Sequence, residues 1–136
     1  MSLIPPQYVD LLTDEARAFA FLGTIMADGS PQVTPLWFNV KDDRIWINSV
    51  KGRTKERNIR NNPLVALAIQ DPKNPYRYLQ VRGKVVEIRE EGAMDHIEEL
   101  CMKYRGKPYE RTAGQIRVIF IVEPEHASGF ERIWSS

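Results

Sequence analysis

Ala18-Phe19-Ala20-Phe21-Leu22-Gly23-Thr24-Ile25-Met26-Ala27-Asp28-Gly29-Ser30-Pro31-Gln32-Val33-Thr34-Pro35-Leu36-Trp37-Phe38-Asn39-Val40 is the stretch on which the fold turns. Residues 18–27 read as a strand, and Asp28-Gly29-Ser30 is a hairpin turn signal. The chain returns along residues 31–40, where Pro35 cannot donate to a ladder. Such a proline marks a sheet edge, a bulge, or a place where something other than a strand takes the hydrogen bonds.

Working outward, Lys41-Asp42-Asp43 turns the chain into a third strand at residues 44–49, where Ile45 and Ile47 alternate with Arg44, Trp46 and Asn48. Upstream, Pro5-Pro6 precedes a short helical stripe of Tyr8, Val9, Leu11 and Leu12. Downstream, helical spacing covers residues 54–61 and stops before Pro63, because the residue ahead of a proline avoids the helical region. Leu64 to Ile69 is a continuous apolar run that predicts a buried strand, and residues 71–75 form a loop with two prolines. Residues 78–88 are the longest strand candidate, with a bulge or barrel corner at Gly83. Residues 92–104 predict a helix whose face carries Ala93, Met94, Ile97, Leu100, Cys101 and Tyr104. Residues 106–114 are loop-like, and a last strand at residues 115–122 ends at Pro124. Six hairpin-linked strands with helices between them predict a mainly β domain over residues 1–136, a small antiparallel barrel with peripheral helices.

Bulk properties narrow the function. The chain has 136 residues, 43% apolar and 27% charged, which fits one soluble globular domain. Nineteen basic against 18 acidic residues leave a net charge of +1. A general nucleic-acid or membrane-surface binder carries a clear positive excess, so neither partner is expected. A lone cysteine gives no intramolecular disulfide and fits a reducing compartment. No apolar run approaches the roughly 18 residues of a membrane span. The first six residues lack the features of a signal peptide, so the expected location is the cytoplasm.

Against that neutral background one segment stands out: Ser49-Val50-Lys51-Gly52-Arg53-Thr54-Lys55-Glu56-Arg57-Asn58. Four cations gather at a helix start, which already bears a partial positive charge, and only Glu56 offsets them. An anion bound there turns the misfit into an asset, since N–H groups and cations then act together. Gly52 allows close backbone approach, and Ser49 and Thr54 add hydroxyl donors. The competing reading is a solvated basic turn.

The chain carries, in order, Thr34-Pro35-Leu36-Trp37-Phe38, Trp46-Ile47-Asn48-Ser49, Gly52 to Pro63, Asp71-Pro72, Tyr76-Arg77-Tyr78, Val81-Arg82-Gly83 and Tyr104 to Tyr109. From residue 18 to about 130 this set resembles the flavin-binding split-barrel superfamily. The nearest branch is the pyridoxamine-phosphate-oxidase-like proteins that use the deazaflavin coenzyme F420. The resemblance implies a six-stranded antiparallel split β-barrel, cytoplasmic and homodimeric, with the cofactor at the subunit interface. It implies that Lys55 binds the cofactor phosphate with Arg53, Asn48 and Ser49. It places the ring beside Thr34, Pro35, Leu36 and Trp37, with a further contact at Tyr78. Hydride transfer to a small conjugated substrate is the implied activity. True pyridoxamine phosphate oxidases carry two basic residues along the second strand, where this chain has Gln32 and Trp37. The tail, residues 129–136, lacks their substrate-binding arginine pattern. Vitamin B6 oxidation is therefore not expected, and F420 is favoured over FMN. A flavoprotein using FMN is the first alternative, and a non-catalytic flavin, haem or tetrapyrrole binder the second.

Other residues are assigned bland roles. Cys101 lies on an apolar helix face and reads as a buried structural thiol. His96 and His126 are isolated, without metal-ligand spacing. Glu90-Glu91 and Glu98-Glu99 read as solvated charges; Trp37 and Trp46 stay open, core filler being the commoner role for a barrel aromatic and a face towards the cofactor the other reading for Trp37. Hydride transfer asks the protein for positioning and electrostatics, so no catalytic acid or base is assigned.

Overall fold

The hairpin forms as its sequence predicts. Gly29 adopts φ 88°, and the Asp28 carboxylate accepts hydrogen bonds from the Ser30 N–H (3.0 Å) and hydroxyl (2.6 Å). The computed structural model describes residues 3–132. The tail residues 133–136 and the first two residues lie outside them. Seven antiparallel strands build one sheet: β1 (Ala20–Ile25), β2 (Pro31–Leu36), β3 (Phe38–Lys41), β4 (Arg44–Val50), β5 (Leu64–Asp71), β6 (Asn74–Arg89) and β7 (Arg117–Glu131). Two α-helices, α1 (Thr54–Asn61) and α2 (Ala93–Arg105), and a 3-10 helix (Pro6–Leu12) are the other elements among the described residues.

The expected return strand is in fact two strands, which raises the count from six to seven. In the order β2-β1-β5-β6-β7-β4-β3, β2 and β3 are the opposite edges of the sheet. Only Trp37 separates them in sequence, so the two edges must approach one another there. The sheet can satisfy that only by curling into a nearly closed barrel, split at Trp37. Pro35 sits in β2, an edge strand, where a missing N–H is tolerated.

β6 and β7 pair along almost their whole lengths, with register shifts between Arg82 and Gly83 and between Val85 and Glu87. At the first shift a Cβ on Gly83 would overlap the Glu123 carbonyl oxygen, so glycine lets β7 cross at contact distance. Pro124 lies opposite Gly83. The bulge removes the need for a ladder N–H there, and β7 continues to Glu131 where the sequence predicted an end.

Phe38, Ile45, Ile47, Leu67, Leu79, Val81, Val118 and Phe120 fill the barrel, and Leu11 and Leu12 of the 3-10 helix join the same core. Arg77 holds that helix to the sheet. Its guanidinium meets Asp10 (2.6 Å), Asp71 (3.0 Å) and Glu131 (3.0 Å), donates to the Gln7 carbonyl (2.7 Å) and lies over the Tyr8 ring. On the outer side α2 packs Ala93 against Ile119, Ile121 and Trp46. Cys101 is buried as expected.

β5 departs from its expected double-sided burial. Val65, Leu67 and Ile69 point into the core, but Leu64 is 52% exposed and Ala66 and Ala68 are half-buried. Register aligns Ala66 with Gly23 and Ala68 with Phe21 on β1, which pair in turn with Val33 and Pro35 on β2. Val33 is 63% exposed. An apolar stripe therefore runs across the outer face of three adjacent strands, and the described residues leave it uncovered.

Candidate functional site

β4 ends at Val50, and the Lys51 N–H bonds to the Ile116 carbonyl (2.7 Å). Gly52 then takes φ 91°, a left-handed turn that residues with a Cβ rarely adopt, and α1 begins at Thr54. Glu56, at the third position of α1, is buried and accepts from the Gly52 N–H (2.8 Å), one residue ahead of the N-cap Arg53, which ties the turn to the helix. The backbone N–H groups of Thr54 and Lys55 have no intrahelical acceptor.

The four cations of this segment divide into two pairs. Lys51 is neutralised by Glu90 (3.0 Å). Arg57 is spent on the loop itself, donating to the Gly52 carbonyl (2.6 Å) and the Thr54 hydroxyl (3.2 Å). Arg53 and Lys55 form no ion pair among the described residues and both line one cleft of about 590 Å³. Lys55 is half-buried. Desolvation, and then the adjacent Arg53 charge, lower its pKa. Its one side-chain hydrogen bond among the described residues is to the Thr34 hydroxyl (3.3 Å). Two unneutralised cations, one of them desolvated, are held in the free protein in a state that an anion would relieve. Ser49 provides an independent sign: it is 3% exposed, lines the cleft, and its hydroxyl has no partner among the described residues. A buried unpaired hydroxyl is a donor awaiting an acceptor.

The opposite wall is aromatic. Pro35, Leu36 and Trp37 line it together with Phe19 and Phe21. Tyr104 from α2 lies between the Phe19 ring (centroids 5.4 Å, 16°) and the Trp37 ring (5.2 Å, 7°). Burial pushes the Tyr104 phenol up to about 12, so it stays protonated, donating to the Ala18 carbonyl (2.6 Å) and accepting from the Phe38 N–H (3.3 Å). Trp37 is thereby fixed at the split of the barrel. The cleft as a whole joins a cationic, hydroxyl-bearing end to a flat apolar wall, a shape and charge distribution for a phosphorylated planar ring.

Of the residues expected in a cofactor site, Pro35, Leu36, Trp37, Asn48, Ser49, Arg53 and Lys55 line this cleft, and Thr34 stands behind Lys55. Tyr78 lies elsewhere, on β6, with its ring against Phe130 (5.6 Å). Gln32, at one of the two positions where a second-strand base was sought, borders a small recess with Arg53 and Lys55. Its carbonyl oxygen faces the amide of Asn58 and the hydroxyl of Thr24 (both 3.5 Å).

Sequence reading did not single out Tyr109 and Arg117, which also line the cleft. Tyr109 belongs to the loop after α2 that carries part of the family resemblance, so a signal existed. Arg117 had none, being one more base at the start of a strand. His96 is 2% exposed, and burial lowers its pKa to about 4. Among the described residues no cluster of His, Cys, Asp or Glu could hold a metal ion, and no helix is long and apolar enough to cross a membrane.

Comparison with known proteins adds a family. The Pyridoxamine 5'-phosphate oxidase family matches residues 4–130. The solved structure of an F420 reductase is 37% identical, with a TM-score of 0.83, covering 92% of this chain and 98% of that one. A conserved hypothetical protein from Mycobacterium tuberculosis is 23% identical with a TM-score of 0.73, covering 94% and 85%. General Stress Protein 26 from Bacillus anthracis is 17% identical with a TM-score of 0.64, covering 90% and 94%. The last two show the fold alone. Comparison with curated proteins gives no match.

Proposed function

Because the chain belongs to the Pyridoxamine 5'-phosphate oxidase family, we propose that it is an oxidoreductase that binds the deazaflavin coenzyme F420 and delivers its hydride to a small conjugated substrate. The observation that carries this reading is the cleft itself, in which unneutralised Arg53 and Lys55 and the unpartnered Ser49 hydroxyl face the same space as Pro35, Leu36 and Trp37. Arg53, Lys55 and Ser49 would hold the phosphate, and the aromatic wall would orient the ring. When bound, the cofactor supplies the hydride. The chain supplies position, charge and exclusion of water.

FMN is the second reading, since the same phosphate end could serve it. Two positions argue for the deazaflavin. Gln32 is neutral and turned towards Asn58 and Thr24, and Trp37 stacks on Tyr104, so neither adds the cations that the pyridoxamine phosphate oxidases carry there. The 37% identity to an F420 reductase points the same way. A homodimer is part of this proposal: the apolar stripe through Phe21, Val33 and Leu64 is a surface that a second copy would cover, bringing its residues to the cleft's open side.

Titration of the cofactor-free protein with F420 and with FMN, followed by fluorescence polarisation, separates the two. Tighter binding of F420 is expected. Tighter binding of FMN would replace the deazaflavin with the flavin in this account, and binding of neither would end it.

A further inference from the structure

Asn48 lines the cleft, yet both N–H donors of its amide are committed inside the protein. Nδ2 donates to the Ala93 carbonyl (2.9 Å) and to His96 Nδ1 (3.2 Å), and Oδ1 accepts from the Arg117 guanidinium (3.4 Å). The orientation of that amide follows from chemistry. A carbonyl can only accept and a guanidinium can only donate, so a flipped Asn48 would face like with like on both sides. His96 Nδ1 must therefore be an acceptor, and the proton sits on Nε2, which donates to Asn39 Oδ1 (2.8 Å). Asn39 passes the polarity on, its Nδ2 donating to Glu99 (3.3 Å), which Lys41 neutralises (2.7 Å). Each link of this network donates in the same sense, from Arg117 through Asn48, His96 and Asn39 to a carboxylate.

At the cleft end of the chain Arg117 is held on its other side by the Tyr109 hydroxyl (2.7 Å) and lies over the Tyr109 ring (5.1 Å). Tyr109 is itself fixed, its N–H donating to Glu98 (3.2 Å). Arg117 meets no carboxylate among the described residues, and its buried Nε–H has no acceptor. It pairs in register with Val50, one residue before the Lys51-Gly52-Arg53 turn. A third unneutralised cation thus stands beside Arg53 and Lys55, clamped from two sides.

We propose that Arg117 is a further ligand of the anion at this site, and that Asn48 and His96 are positioning residues which hold it there. The proposal rests on the reading of the cleft as a phosphate-bearing cofactor site. It also revises that reading: the contact in this corner comes from the Arg117 guanidinium, not from the Asn48 amide, whose two N–H donors are already used.

The test is a double-mutant cycle on the cofactor-free protein, read by fluorescence polarisation with F420 and FMN and by the thermal shift that inorganic phosphate produces. Arg117→Gln should weaken cofactor binding about tenfold, the scale of one charge-assisted hydrogen bond. Asn48→Ala and His96→Phe should weaken it in the same direction. Combining either with Arg117→Gln should lose little beyond Arg117→Gln alone, because both act through that side chain. A merely structural His96 would lower the melting temperature and add its loss independently. The proposal is overturned if Arg117→Gln binds as the parent does, or if Asn48→Ala loses affinity while Arg117→Gln does not, or if the losses add. Should the parent protein bind neither cofactor, the functional reading fails. The phosphate shift then decides Arg117 separately: an equal shift in parent and Arg117→Gln removes Arg117 as an anion ligand, and a reduced one keeps it.

Discussion

Lys55→Ala should weaken cofactor binding by about 1.5–3 kcal/mol, a loss of roughly ten- to 150-fold, because it removes a charge-assisted contact to a phosphate. In the free protein Lys55 is half-buried, depressed in pKa by desolvation and by Arg53, and among the described residues bonded only to the Thr34 hydroxyl. No carboxylate among the described residues pairs with it, so the fold itself gains little from the ammonium. The melting temperature of the variant without ligand should therefore hold or rise, while affinity falls. That opposition separates a ligand-binding lysine from a structural one. Lys51→Ala is the internal control. Its partner is Glu90 at the surface, and such exposed pairs contribute at most about 1 kcal/mol, with no expected effect on affinity. If Lys55→Ala retained full affinity, or if Lys51→Ala matched its loss, the division of the four cations would be wrong.

Acid should cost the protein about 3 kcal/mol of stability through His96 alone. Its pKa falls from the ordinary 6.5 to about 4 on folding, first through burial, with Lys41 adding to the depression and Glu99 opposing it. Between those two values the unfolded chain binds a proton that the folded chain refuses, so stability drops as pH falls from about 6.5 to about 4 and then stops changing on this account. The structural reason is the hydrogen-bond chain: a proton on Nδ1 would confront the Asn48 amide donor. Asp10, whose pKa is lowered mainly by its hydrogen bond to Arg77, loses its contribution only at lower pH, below the usual 3.8. Denaturant unfolding of the parent and of His96→Gln across pH 4–7 isolates the term. The difference between the two should shrink or reverse towards pH 4, and parallel curves would contradict the assignment of His96 as a buried neutral imidazole.

Local signals carried most of the fold. Residues 54–61 were legible as a helix from their spacing and from Pro63, and α1 has those bounds. The glycines at 29 and 83 marked a turn and a bulge through conformational and steric demands that other residues do not meet. What failed locally was decided by distant partners. Pro124 stops a strand only where its N–H is needed, and the bulge opposite Gly83 removes that need. The apolar run at residues 64–69 implied two covered faces, but the described residues cover one and leave Leu64, Ala66 and Ala68 outward. The site divides in the same way. The cations of residues 51–57 were visible as a misfit of charge and helix end, whereas the fact that only Arg53 and Lys55 stay unpaired depends on Glu90 and on the loop carbonyl at Gly52. Arg117 and His96 gave no signal at all. Their significance comes from a polar chain assembled across β3, β4, α2 and β7, and no spacing in the sequence encodes it.

The central claim is that the cleft between the Arg53–Lys55 turn and the Trp37 wall holds the cofactor, and a crystal structure of the protein with F420 bound tests it most directly. The account predicts phosphate oxygens at hydrogen-bonding distance, about 2.7–3.2 Å, from Lys55 Nζ, the Arg53 guanidinium and Ser49 Oγ, with the ring against Pro35, Leu36 and Trp37. A phosphate seated away from Lys55, for example in the outer groove beside Arg82 and His126, would contradict it.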